Sequence, residues 1–256
     1  MRKIYALIAG NALLISLQGC VGGSPSSASI GPTYVTPGGI YAGTLNNSTT
    51  SATDQLVGLI DENGVAVFID TTQPAIYRFT IGRGGSSFSS PFKGYAGGAT
   101  TFPNGLQHSD GTVTGTIAPR SSITGSGTPT GGTPSSYSIN YDKTAYETPA
   151  PFSISNGTYV FQIVTKTTVT VTFTLDTSGN IVGSDTSGCN FTGTATIPVA
   201  AYNAYELLVS GSCSGTSFTA AGLAAFTPAN GATPAKITLE YDNGIDRAAA
   251  GVAIKQ

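Results

Sequence analysis

The chain has 256 residues, of which 9% are charged, and a formal net charge of −2. That balance provides no electrostatic footprint for nucleic acid or for an anionic membrane surface, and the length allows one large domain or two small ones. With 34 Gly and 14 Pro among abundant Thr, Ser, Tyr and Val, the chain disfavours helices and suits short strands joined by tight turns; 39% apolar residues is too high for a disordered chain.

Arg2 and Lys3 precede a stretch, Ile4 to Leu17, that is apolar apart from Asn11 and Ser16. It has the length of a signal-peptide core and falls short of the roughly 20 apolar residues that span a bilayer. Residues 1–19 are therefore expected to be a signal peptide. The segment Leu17-Gln18-Gly19-Cys20 resembles the lipobox of bacterial lipoproteins. Leu17, Gly19 and Cys20 match its pattern, and Gln18 stands where a small residue is usual. The resemblance implies a lipid on the Cys20 thiol, cleavage just before it, and acylation of the new amine, with palmitate as the natural label. A thiolate is the soft nucleophile that such chemistry needs, and more than one acyl chain makes the anchor stable. The alternative is an ordinary signal peptide with an incidental cysteine. Val21 follows Cys20 where an Asp would argue for inner-membrane retention. By resemblance to the enterobacterial sorting pattern, this implies the outer membrane. Residues 20–37, rich in Gly, Ser and Pro, read as a flexible tether.

The rest of the chain resembles itself. Gly39-Ile40-Tyr41 matches Gly157-Thr158-Tyr159, and Asp61-Glu62-Asn63-Gly64 matches Asp176-Thr177-Ser178-Gly179 at an offset of 115. Further on, Phe92-Lys93-Gly94 matches Phe191-Thr192-Gly193 at 99, and Gly111–Thr116 matches Gly211–Thr216 at 100. Tyr141-Asp142 matches Tyr241-Asp242, and Phe152-Ser153-Ile154 matches Val252-Ala253-Ile254, also at 100. This predicts an internal duplication with a first β domain over 38–154 and a second over 155–256, with Pro149 and Pro151 near the joint. The drop in offset implies an insertion of about 16 residues between Gly64 and Phe92.

The local pattern is β. Val169, Val171 and Phe173 alternate with threonines, the period of a half-buried strand. Leu56–Ile60, the Asn63-Gly64 turn and Val65–Ile69 form a second strand–turn–strand unit. Ala220–Ala225 fits a helical turn or a strand equally. The fold class is thus all-β, as two small antiparallel barrels or sandwiches. These Gly-rich halves resemble, in architecture and composition, the barrel domains of transferrin-binding-protein-like lipoproteins. No motif is shared, so no binding residue carries over.

With Cys20 assigned to lipid, Cys189 and Cys213 remain. An even remainder in an exported protein suggests a disulfide. Two reduced thiols are the alternative; a metal site is disfavoured because no His lies near and no CxxC spacing exists. His108 is the sole histidine, and without a Gly-x-Ser-x-Gly elbow it reads as a turn residue. The acids, among them Asp54, Asp61, Glu62, Asp70, Asp142, Asp176, Asp185, Glu240 and Asp242, are scattered, several in turns. Asp61-Glu62-Asn63 lacks calcium-loop spacing, and Gly82–Ser87 lacks a P-loop lysine. Tyr41, Tyr77, Tyr95, Tyr137, Tyr141, Tyr159 and Tyr241 read as barrel packing more than as a binding face. No cofactor is implied. The expected function is a non-enzymatic, lipid-anchored binding or structural module of the envelope, with an unknown protein or small-molecule partner. The alternatives are an envelope enzyme inhibitor using the inserted stretch, or a small-ligand carrier, which needs an open lumen.

Overall fold

Alternating apolar and hydroxyl side chains build sixteen strands among the described residues. The computed structural model describes residues 36–48, 51–98, 100–164, 168–245 and 248–256. Cys20, the signal-peptide stretch and nearly all of the tether lie outside them.

The first eight strands are β1 (Gly39–Asn46), β2 (Thr53–Ile60), β3 (Val65–Asp70), β4 (Ala75–Thr80), β5 (Ser87–Ala96), β6 (His108–Ala118), β7 (Ser122–Pro129) and β8 (Ser135–Tyr141). They pair antiparallel in sequence order, and β8 closes on β1. Two single-turn helices follow, α1 (Lys143–Tyr146) and α2 (Phe152–Ser155). The Asp142 side chain caps α1, accepting from the Ala145 N–H at 2.9 Å. A second closed barrel comprises β9 (Gly157–Val164), β10 (Thr168–Leu175), β11 (Asn180–Asp185), β12 (Cys189–Thr196), β13 (Tyr205–Cys213), β14 (Thr216–Thr227), β15 (Lys236–Asp242) and β16 (Ala248–Lys255).

The two barrels share several hydrogen bonds at matching places. The Asp61 carboxylate accepts from the amides of Asn63 and Val65 at 2.9 and 2.7 Å, and Asp176 accepts from Ser178 and Asn180 at 2.8 Å each. Each turn ends in a left-handed glycine, Gly64 at φ +87° and Gly179 at φ +85°. A Cβ there would lie 2.2 Å from the Ile81 carbonyl oxygen, or 2.5 Å from that of Ala195. The Tyr41 hydroxyl donates to the carbonyl of Pro37, and the Tyr159 hydroxyl donates to that of Ser155, four residues back in both cases.

The strand order corrects the offset of about 100. It would superpose β6 on β13 and β8 on β15, strands that run in opposite directions in their barrels. Matching strands in order keeps the offset near 115: Thr53 with Thr168, Val65 with Asn180, Ala75 with Cys189. Short Gly/Thr strands resemble one another after a one-strand slip, which is how the wrong register arises. No insertion separates Gly64 from Phe92; that stretch is β3, β4 and the first part of β5 with their connections, of which the β4–β5 loop is exposed from Gly82 to Ser86. The real difference lies elsewhere. The β5–β6 connection runs over 97–107, whereas β13–β14 turns through Ser214 and Gly215 alone, at φ +50° and +82°.

Each barrel has its own core, one around Phe68, Phe79, Phe92 and Ile139, the other around Phe161, Phe173, Leu175 and Leu239. A third cluster joins them: Leu59, Val67, Ile69, Ile76 and Tyr95 on the outer wall of the first barrel meet Leu223 and Ala225 of β14. The intervening Ala224 and Phe226 face the second core. A strand buried on both faces loses its alternation, which explains why Ala220–Ala225 read equally as helix.

Candidate functional site

Eight strands close a barrel just wide enough to be filled by side chains or to hold one small ligand. The two barrels take the two outcomes. The second holds a void of only about 40 Å³ among Phe161, Phe173, Leu175, Phe191, Leu239 and Tyr241. The first encloses a cavity of about 440 Å³, within the range of small-molecule sites.

Residue-by-residue comparison explains the space. The pairs Ile123–Ile139 on β7–β8 and Ile237–Ala253 on β15–β16 occupy equivalent rungs. Two and four residues on, inward-facing Gly125 and Gly127 of the first barrel correspond to Leu239 and Tyr241 of the second. At Gly127 a Cβ would meet nothing nearer than a Phe92 ring carbon at 3.9 Å. The missing Tyr side chain is thus part of the cavity.

Facing Leu45 across the β1–β2 ladder is Asp54; at the same rung of the second barrel Val169 faces Ile163. One barrel carries an acid where the other carries a valine. The first rung of β4–β5 is Ala75–Ala96, lining the cavity, while the first rung of β12–β13 is Cys189–Cys213. Those cysteines form a disulfide with a Cα–Cα distance of 4.1 Å. A crosslink stands in the second barrel at the rung where two small residues line the cavity of the first.

The cavity sits at the end of the first barrel formed by the β1–β2, β3–β4, β5–β6 and β7–β8 connections. The chain enters β1 from Thr36 at the opposite end. Leu45, Leu56, Phe68, Phe79, Phe92 and Val113 supply the apolar wall, and Thr100–Pro103 of the long β5–β6 connection cover it. The Phe102 ring packs edge-on to Tyr77 at 6.4 Å, and Tyr77 edge-on to Phe92 at 5.8 Å.

Two acids stand in this wall. Leu56 pairs with Asp70 across β2–β3, which places Asp54 diagonally from Asp70. Asp70 Oδ1 accepts from the amides of Thr72 and Gln73, both at 2.9 Å, capping the turn after β3. Asp185 does the same after β11, holding the Ser187 amide at 2.8 Å. Burial pushes the Asp70 carboxyl above its usual range, and the charge of Asp54 adds to the shift. Burial likewise raises the Tyr77 hydroxyl, with Asp70 and then Asp54 contributing. Asp54 differs from the turn acids. It is 1% exposed, and its Oδ2 has no hydrogen-bond partner among the described residues. Among those residues, no Lys or Arg lines the cavity.

The other acids have structural partners. Glu240 and Asp242 take Arg78 between the barrels, although Glu240 Oε1, like Asp54 Oδ2, has no hydrogen-bond partner among the described residues, and Glu62 takes the Tyr146 hydroxyl at 2.5 Å. His108 opens β6 on the rung facing Tyr95, rather than sitting in the turn before it. Of the singled-out tyrosines, Tyr77 and Tyr137 line the cavity, while Tyr41, Tyr95 and Tyr159 are buried in packing. Sequence reasoning placed Asp54 among scattered acids and did not single out Gly127. The signal was available: an Asp at an inward position of an alternating strand, and a Gly opposite a Tyr at the offset near 115.

No protein-family model matches the chain, and no curated protein does. Two solved structures do. One is a mutant of the vaccine antigen transferrin binding protein B from Haemophilus parasuis, with 15% identity and a TM-score of 0.29. The other is intact Ap-TbpB with its N and C lobes, with 13% identity and a TM-score of 0.28. Each alignment covers 85% of this chain but only 45% and 46% of those chains. The chain therefore spans less than half the length of either, and neither likeness bears on what it binds.

Proposed function

We propose that this chain is an exported, lipid-anchored lipoprotein of the outer membrane that acts as a non-enzymatic binding module, with the first barrel as its binding part. The observation that supports it is the contrast between two barrels of one topology: a cavity of about 440 Å³ in the first, about 40 Å³ in the second. A duplicated fold needs no such space for stability, since unfilled volume costs stability at roughly 24 cal/mol per Å³ in dry cores. Retained space of ligand size favours the small-ligand carrier reading over a purely structural part. The anchor rests on Leu17, Gly19 and Cys20. An enzyme would call for a polar cleft with converging acids. Here Leu45, Leu56, Phe68, Phe79, Phe92 and Val113 line the space beside polar Asn47, Gln73 and Ser135, and one of the two acids, Asp70, is engaged by its own turn.

The test is binding of N-phenyl-1-naphthylamine, a neutral probe that fluoresces in apolar surroundings. The expected result is saturable binding of one probe per chain, lost in Gly127→Tyr, which puts the second barrel's residue into the first. A Gly127→Tyr protein that melts like wild type and binds the probe unchanged would remove the cavity from consideration.

A further inference from the structure

Resting on the reading of the first barrel as the binding part, we propose that its ligand has an apolar body and a cationic amine head, and that the head docks on Asp54.

The argument begins with an unfulfilled group. A buried polar atom without a partner costs about 1–3 kcal/mol, more if charged. Asp54 Oδ2 is in that state, inside a cavity where the described residues supply no cation. The equivalent rung of the other barrel shows the cheap solution, Val169 against Ile163. Keeping an acid at position 54 is therefore a local cost with no return in folding. An N–H-bearing cation supplies the missing donor and charge together, making the strong, charge-assisted kind of hydrogen bond. Asp70, diagonal to Asp54, adds negative potential at the same point while its Oδ1 stays with its turn. Tyr77 lines the same cavity, and an aromatic ring near the site also favours a cation.

A bare metal ion fits less well. Calcium takes six to eight oxygen ligands, and no cluster of three or more His, Cys, Asp or Glu suited to a metal exists among the described residues. The apolar part of the wall is built from Leu45, Leu56, Phe68, Phe79, Phe92 and Val113, beside polar residues such as Asn47, Gln73 and Ser135. The apolar part matches the body of an amphiphile. An anionic amphiphile would meet two carboxyls.

The experiment is competition against N-phenyl-1-naphthylamine on the full chain with three probes of one chain length: decylammonium, decanol and decanoate. In wild type, decylammonium is expected to compete about ten-fold or more better than decanol, as a charge-assisted hydrogen bond allows, and decanoate worse than either. Asp54→Asn and Asp54→Val should abolish the ammonium preference, leave decanol unchanged and raise the melting temperature, because they remove a strained acid. If decanol competes but decylammonium has no advantage, or keeps its advantage in Asp54→Asn, the cationic head is refuted while the binding cavity stands. If none of the three competes and the neutral probe does not bind, the binding reading itself falls. The rise in melting temperature separates loss of a ligand contact from loss of fold.

Discussion

Arg78 Nη1 lies 3.0 Å from Asp242 Oδ2, and the two residues belong to different barrels. The same nitrogen is 3.5 Å from Glu240 Oε2 and 3.2 Å from the Ala221 carbonyl, while the Tyr95 hydroxyl donates to Asp242 at 3.2 Å. Asp242 is buried. Removing one partner of a buried ion pair costs about 3–5 kcal/mol, because the other charge is stranded. Arg78→Ala is expected to destabilise the protein by that order in urea unfolding. A loss below about 1 kcal/mol would mean that the apolar cluster alone holds the barrels together.

The Glu240 carboxyl is held well above its ordinary value of 4.5, first by burial and then by Asp242, with Arg78 opposing. The native chain therefore keeps a proton that the unfolded chain releases. Its contribution is complete below the ordinary carboxylate range and is lost as pH rises above it. Asp70, also raised by burial, acts in the same direction. Glu240→Gln keeps the neutral shape at every pH. Its melting temperature should match wild type near pH 4.5 and exceed it increasingly as pH rises above that ordinary value. Parallel melting curves across that range would show that Glu240 does not carry the slope.

The Cys189–Cys213 disulfide closes a sequence separation of 24 residues across one rung of β12–β13. Loop closure of that length is worth about 3 kcal/mol. Replacing both cysteines with alanine recreates the Ala75–Ala96 rung and should lower stability by about that amount, while probe binding in the first barrel stays unchanged. Intact mass should rise by two hydrogens on reduction of wild type and not at all in the double variant. Loss of probe binding in a variant that remains folded would show that the barrels communicate.

Cys20→Ala should abolish palmitate incorporation and release the protein from the envelope fraction. Label retained in the variant would place the lipid elsewhere, and an unlabelled wild type would leave an ordinary signal peptide as the reading of residues 1–19.

Much of the fold was legible because alternation and turn chemistry are local. The Asp61 and Asp176 turns and the inward Val171 and Phe173 follow from short-range rules, and the cysteine pair from the even count left after Cys20. The register between the two halves was not, because a Gly/Thr strand looks the same whether it runs up or down its barrel. That slip placed Phe191 opposite Phe92, when the strand order pairs it with Tyr77, and it concealed the equivalences Asp54–Val169 and Gly127–Tyr241 that define the cavity. The seam acids Glu240 and Asp242 were unreadable for a different reason. Their partner, Arg78, is more than 160 positions away on another barrel.

The strand β14 has two interiors and no exterior over Leu223 to Phe226. Neither copy of the repeat is a finished globule, since pulling them apart turns one wall of each into bare hydrocarbon. The barrel that holds nothing is in this sense the outer skin of the barrel that holds the cavity. Packed and crosslinked, it covers a wall of its twin, which carries the cavity and the buried Asp54.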